Sequence, residues 1–102
     1  MSNKREIEVV RLLTLSDCDY CTWLKSELNE LGITYVNIDV NQFSDFADAI
    51  EDKFKTNTYP IVFIESEDKV ITIVPETKLE TSDTLRTFDT IPQLVGIIKQ
   101  YI

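Results

Sequence analysis

LLTLSDCDYC, running from Leu12 to Cys21, is the stretch whose reading decides the fold. Its first half belongs to an apolar run, Glu8–Leu15 (EVVRLLTL), which reads as a strand buried on both faces. Ser16-Asp17 punctuates that run. Helical spacing then begins at Asp19, with Leu24, Leu28 and Leu31 at i, i+4 and i+7 and Gly32 as the stop. Two cysteines, Cys18 and Cys21, therefore sit where a strand hands over to a helix. In an open α/β sheet, sites form beyond the carboxyl ends of strands.

That placement gives the pair its chemistry. Cys18 falls at or just before the helix start, facing unpaired N–H groups and the positive end of the helix dipole. Both favour the thiolate, the nucleophilic form of cysteine. Cys21 lies one turn further on, on the same side and more buried, within disulfide reach. In a cytosolic βαβ pattern this is a redox arrangement. The competing readings are a pair of small buried residues, or half of a metal site shared between chains. Asp17 and Asp19 flank the nucleophile, and like charge opposes the thiolate. Screening makes the offset partial. The expectation is a less acidic thiol and a more reducing couple.

The rest of the chain supplies the frame. Tyr35–Val40 (YVNIDV) alternates and reads as a second strand. Gln42–Lys55 puts Phe43, Ala47, Ile50 and Phe54 on one helical face, with Ser44 as N-cap. Ile61–Glu65 (IVFIE) and Lys69–Val74 (KVITIV) form a hairpin around Glu67-Asp68. Pro75–Asp89 is polar and Thr-rich and reads as a loop with room for a short strand or turn. Thr90–Tyr101 closes the chain as a helix with Pro92 in its first turn and Ile91, Leu94, Ile98 and Tyr101 in one stripe. The order is β-α-β-α-β-β-α, an α/β fold with a four-stranded mixed sheet flanked by three helices. Residues 1–102 are expected to form a single domain, given the usual domain size of about 100–150 residues.

Composition excludes several functions. Ten Lys and Arg against eighteen Asp and Glu give a net charge of −8, a surface that repels phosphate. Nucleic acid and membrane are therefore not expected partners. With no histidine, Ser/His and Cys/His triads are absent, and two cysteines cannot close a four-ligand zinc site. No apolar run approaches the roughly 18–20 residues of a membrane helix. MSNKREIEVV carries no apolar leader segment with a cleavage site, so the expected compartment is the cytoplasm, where a close cysteine pair is redox-active or metal-binding.

Taken together, LLTLSDCDYC, then TYPIVFIE, then a terminal amphipathic helix resemble a glutaredoxin of the thioredoxin superfamily. The Cys-x-Tyr-Cys form is similar to that of small dithiol glutaredoxins, including those of bacteriophages. The resemblance covers about residues 8–74 and 90–102. It implies a thioredoxin-like fold and a thiol–disulfide oxidoreductase, with Cys18 as nucleophile and Cys21 as resolving thiol. It implies that Tyr20 lines the substrate site and that Thr58-Tyr59-Pro60 is a cis-proline loop whose Tyr59 backbone pairs with an extended substrate. It implies that Asp89 and Thr90, at the start of the last helix, belong to the substrate site. No tightly bound cofactor and no metal are expected, glutathione being a co-substrate. Implied partners are disulfide-containing proteins, ribonucleotide reductase among them, and glutathione or a thioredoxin-reductase-like protein as electron source.

The chain departs from the family pattern in two places. Leu15 stands where members commonly carry a Lys, and no Gly-Gly pair follows the last strand. Arg86 and Lys25 are the candidate replacement charges. A reductase that ignores glutathione, a non-catalytic binding module, and a dimer bridging an iron–sulfur cluster are the alternatives. Trp23 reads as packing or a rim aromatic. Tyr59 is bulky enough to close the site. Asp45, Asp48, Glu51 and Asp52 read as a solvated acidic face, and Phe43, Phe46 and Phe54 as core.

Overall fold

The computed structural model describes residues 7–102. The reading of MSNKREIEVV as lacking a leader falls mostly on residues 1–6, outside the described residues. The elements are β1 (Ile7–Thr14), α1 (Asp19–Glu30), β2 (Val36–Asp39), α2 (Ser44–Phe54), β3 (Ile61–Ser66), β4 (Val70–Val74), β5 (Leu85–Thr87) and α3 (Ile91–Lys99).

The strands form one sheet in the order β2-β1-β3-β4-β5. β2 runs parallel to β1, as a helical crossover requires. β3 is antiparallel to β1, and β4 to β3. Strand alternation then divides the core in two. Val10, Leu12, Val62, Ile64, Ile71 and Ile73 face α1 and α3, meeting Leu24, Leu28, Leu94 and Ile98. Leu13, Ile61, Phe63, Val74 and Leu85 face the other way, meeting Ala47, Ile50 and Phe54 of α2. Helices thus cover both faces of the sheet.

The expected four strands are five. β5 lies inside the segment read as a loop and pairs parallel with β4, Leu85 opposite Thr72 and Thr87 opposite Val74. Three residues are too few to show a period, so the strand has no local signature. Its sign lay instead in its neighbour. Ile71, Thr72, Ile73 and Val74 are all buried, on both faces of the sheet. A strand buried on both faces is interior and needs a partner on each side.

Three smaller expectations fail for local reasons. Ser44 is the first helical residue of α2 and not its N-cap. Phe43 occupies that place (φ −131, ψ 50) without a side-chain cap bond. Phe43 therefore lies outside the helical stripe and is exposed, as is Phe46, whose ring centroid is 6.1 Å from that of Phe63. Leu31 is exposed because it is the C-cap of α1. Gly32 follows at φ +72, with Gly32 N–H donating to the Asn29 carbonyl and Ile33 N–H to that of Leu28. This is a Schellman ending, and the glycine it uses is one of only two in the chain.

Candidate active site

Register brings the site together. Leu13 near the end of β1 sits opposite Ile61 at the start of β3. The loops beyond those two ends, Leu15–Cys18 and Thr58–Pro60, therefore meet at one edge of the sheet.

Cys18 is the N-cap of α1, in extended conformation (φ −106, ψ 109), and its sulfur accepts from the Cys21 N–H at 3.0 Å. The ladder begins with Thr22 N–H donating to the Cys18 carbonyl at 3.1 Å. Cys18 is half-buried at the surface, whereas Cys21 is 1% exposed and packs with Leu13, Tyr59 and Ile61. The two form a disulfide across 5.1 Å between Cα atoms, within the usual range for such bridges. The Cys18 sulfur is thus the outer of the two.

The other wall is the loop before β3. The Tyr59–Pro60 peptide is cis, as the resemblance implies. The Cys18 sulfur lies 3.8 Å from the Tyr59 carbonyl oxygen. Tyr59's side chain does not close the site. It is 8% exposed and turned into the second core, where its hydroxyl donates to the Glu51 carboxylate of α2. Burial first, then that hydrogen bond and the charges of Glu51 and Asp48, push its phenol well above the ordinary tyrosine range. Glu51 thereby leaves the acidic face to which sequence reading assigned it. It also lines a groove of about 670 Å³ behind the loop, with Asp48, Thr56 and Thr77. Thr58 is exposed and Pro60 is buried.

The helix side of the site is aromatic and acidic. Tyr20 is 54% and Trp23 43% exposed, with ring centroids 6.2 Å apart. The Trp23 indole N–H donates to Glu27 at 3.3 Å. Asp17 and Asp19 are exposed on either side of Cys18. Of the two candidate cations, Arg86 is engaged away from the sulfurs. Arg86 donates to the Tyr101 hydroxyl at 3.0 Å, at the far end of α3. Lys25 is four residues after Cys21 and shares its side of α1, on the side away from Trp23.

Asp89 and Thr90 stand at the same end of the sheet. They follow β5, and β4 lies between β5 and β3. At the usual spacing of strands the end of β5 is about 10 Å from the start of β3. Thr90 is the N-cap of α3 and its hydroxyl accepts from Gln93 N–H at 3.2 Å. Among the described residues nothing accepts from the Thr90 and Ile91 N–H groups, while the rest of this turn is accounted for. Pro92 has no N–H, Gln93's is bound by Thr90, Leu94's by the Thr90 carbonyl, and Asp89's by the Gln93 side chain. Among the described residues, no cluster of three or more His, Cys, Asp or Glu is arranged to hold a metal ion.

The glutaredoxin family model matches residues 10–69, well over half of the chain. The chain belongs to the glutaredoxin family. That match spans both walls of the site, from β1 through the cysteines and the cis-proline loop to the β3–β4 turn. The five-stranded mixed sheet with three helices is a thioredoxin-like fold with an added edge strand. No curated protein matches the chain. Among solved structures, one described as "Structure of a malarial protein" is 17% identical, covers 93% of this chain and 99% of its own, and has a TM-score of 0.47. Among the described residues no helix is long and apolar enough to cross a membrane.

Proposed function

We propose that the protein reduces disulfides of proteins and small molecules through Cys18 and Cys21, as a cytoplasmic thiol–disulfide oxidoreductase of the glutaredoxin type. One observation carries the reading. A half-exposed sulfur caps a helix N-terminus, 3.8 Å from a loop carbonyl, with a buried sulfur one turn behind it. The Cys18 thiolate attacks one sulfur of the substrate disulfide and the other leaves as a thiolate. Cys21 then attacks the Cys18 sulfur and releases the second substrate thiol. Two electrons pass to the substrate, and the Cys18–Cys21 disulfide remains. Tyr20, Thr58, Tyr59 and Pro60 would border the incoming chain, its backbone pairing with Tyr59.

The electrons to restore the dithiol come from glutathione or from a thioredoxin-reductase-like protein. Leu15 in the place of the family's lysine and the lack of a Gly-Gly pair after the last strand favour the second source. The test is one disulfide substrate turned over with each reducing system in turn, by wild type, Cys18→Ser and Cys21→Ser. Cys18→Ser is expected to be inactive with both. Cys21→Ser is expected to turn over only where glutathione resolves the mixed disulfide. Full turnover by Cys18→Ser rejects the assignment of the nucleophile.

A further inference from the structure

The exposed surface of α1 that follows Cys18 along the chain has a chemical bias that thiol–disulfide exchange alone does not require. At roughly 100° per residue, Asp19, Glu30, Trp23, Glu27 and Tyr20 fall within one arc of about 100°. The arc starts at the active-site end of the helix. It holds two exposed aromatic rings, three carboxylates and no cation, and Asp17 adds a fourth carboxylate beside the sulfur. Trp23 is not free to rotate at random, since its indole N–H donates to Glu27 at 3.3 Å and its ring leans on Tyr20 at 6.2 Å. That leaves 43% of it exposed to solvent beside an acidic rim.

We infer that Trp23, held by Glu27 and Tyr20, is a specificity platform for disulfides whose neighbouring residues are Lys or Arg. The inference rests on the thiol–disulfide reading above and names the substrate class of that same site. A cation over an indole face is attracted by the ring's quadrupole, and tryptophan is the strongest of the aromatic faces. Carboxylates on both sides of that face add Coulomb attraction for the same cation and repulsion for an anion. Oxidised glutathione, with its free carboxylates, meets the repulsive case, and Leu15 offers it no lysine in return.

The probes are two synthetic peptides with one intramolecular disulfide each, identical except for Lys or Glu beside the cysteines, together with uncharged hydroxyethyl disulfide. Reduced full-length protein is mixed with each, and reduction is followed by acid quench and chromatography. At low salt the lysine peptide is expected to react about tenfold faster than the glutamate peptide, the effect of one cation–π contact and one or two exposed charge pairs. Trp23→Ala and Glu27→Gln are each expected to shrink that ratio about threefold. Both sites lie off the core, so the variants retain the fold. Equal rates on the two peptides overturn the inference. A ratio unchanged in Trp23→Ala overturns the platform and assigns the bias to the overall charge of −8. An equal loss on all three disulfides in Trp23→Ala, with the ratio kept, likewise overturns it. Failure of the wild type on every disulfide overturns the oxidoreductase reading itself.

Discussion

Tyr59 serves the site with its backbone and the core with its ring. Its carbonyl stands 3.8 Å from the Cys18 sulfur, while its hydroxyl, in the opposite direction, donates to Glu51. The phenol's pKa is raised, so the folded protein prefers the neutral form. Its contribution to stability is complete below pH 10, the unperturbed value, where the phenol is neutral folded and unfolded alike. Above pH 10 the unfolded chain ionises first and that contribution drains away. Tyr59→Phe is expected to lower stability at pH 8 by about 1–2 kcal/mol, the effect of leaving a half-buried carboxylate without its donor. It is also expected to flatten the fall in urea midpoint above pH 10 relative to wild type. Thr58-Tyr59-Pro60 was legible as a motif, but the direction of the ring was not. It depends on a carboxylate eight residues earlier on another element, and the spacing of neither residue reveals the pairing.

Among the elements, the two long helices end by the same geometry with different residues. α1 uses Gly32 at φ +72 and was readable for that reason. α2 places Lys55 at φ 54, ψ 50, the left-handed region, where a side chain crowds the following carbonyl. Lys55→Gly is expected to stabilise the protein by about 0.5–1 kcal/mol, the relief of that crowding less the extra freedom of glycine in the unfolded chain. Thermal or urea unfolding of the full chain measures it. Nothing in Phe54-Lys55-Thr56 announces the turn, because the sign of φ is dictated by where the chain must go to reach Pro60. The start of α2 was misread for a related reason. Ser44 is a favoured cap residue, but Phe43 carbonyl accepts from Ala47 N–H at 2.9 Å, which sets the helix one residue earlier than Ser44 as cap allows.

For the molecule as a whole, β5 is the decisive addition. Leu85 is 7% exposed and packs in the same core as Cys21 and Tyr59. Leu85→Ala is expected to destabilise the whole fold by about 2–4 kcal/mol, as a core truncation and not as a loop change, with the urea midpoint as the readout. A loss under about 0.5 kcal/mol, the range for surface positions, contradicts the placement of β5 in the core. After β5 the chain turns back over the sheet, Phe88 N–H donating to the Val74 carbonyl at the end of β4 and Ile91, Leu94 and Ile98 packing with α1.

The order of every element but β5, the cysteine pair at a strand–helix junction and the acidic surface were determined by the sequence itself. Each is a local property: period along a strand or helix, a capping residue, a count of charges. Only the tertiary structure decided that a three-residue strand guards the edge of β4, that Tyr59 turns inward to Glu51, and that Tyr20 and Trp23 form one face with Glu27. Those outcomes rest on contacts between segments far apart in the chain or on which side of a helix meets solvent. The meeting of Cys18 with Tyr59, 41 residues later, is of the same kind. Strand register brings the two together, and register follows from burying both faces of one sheet at once.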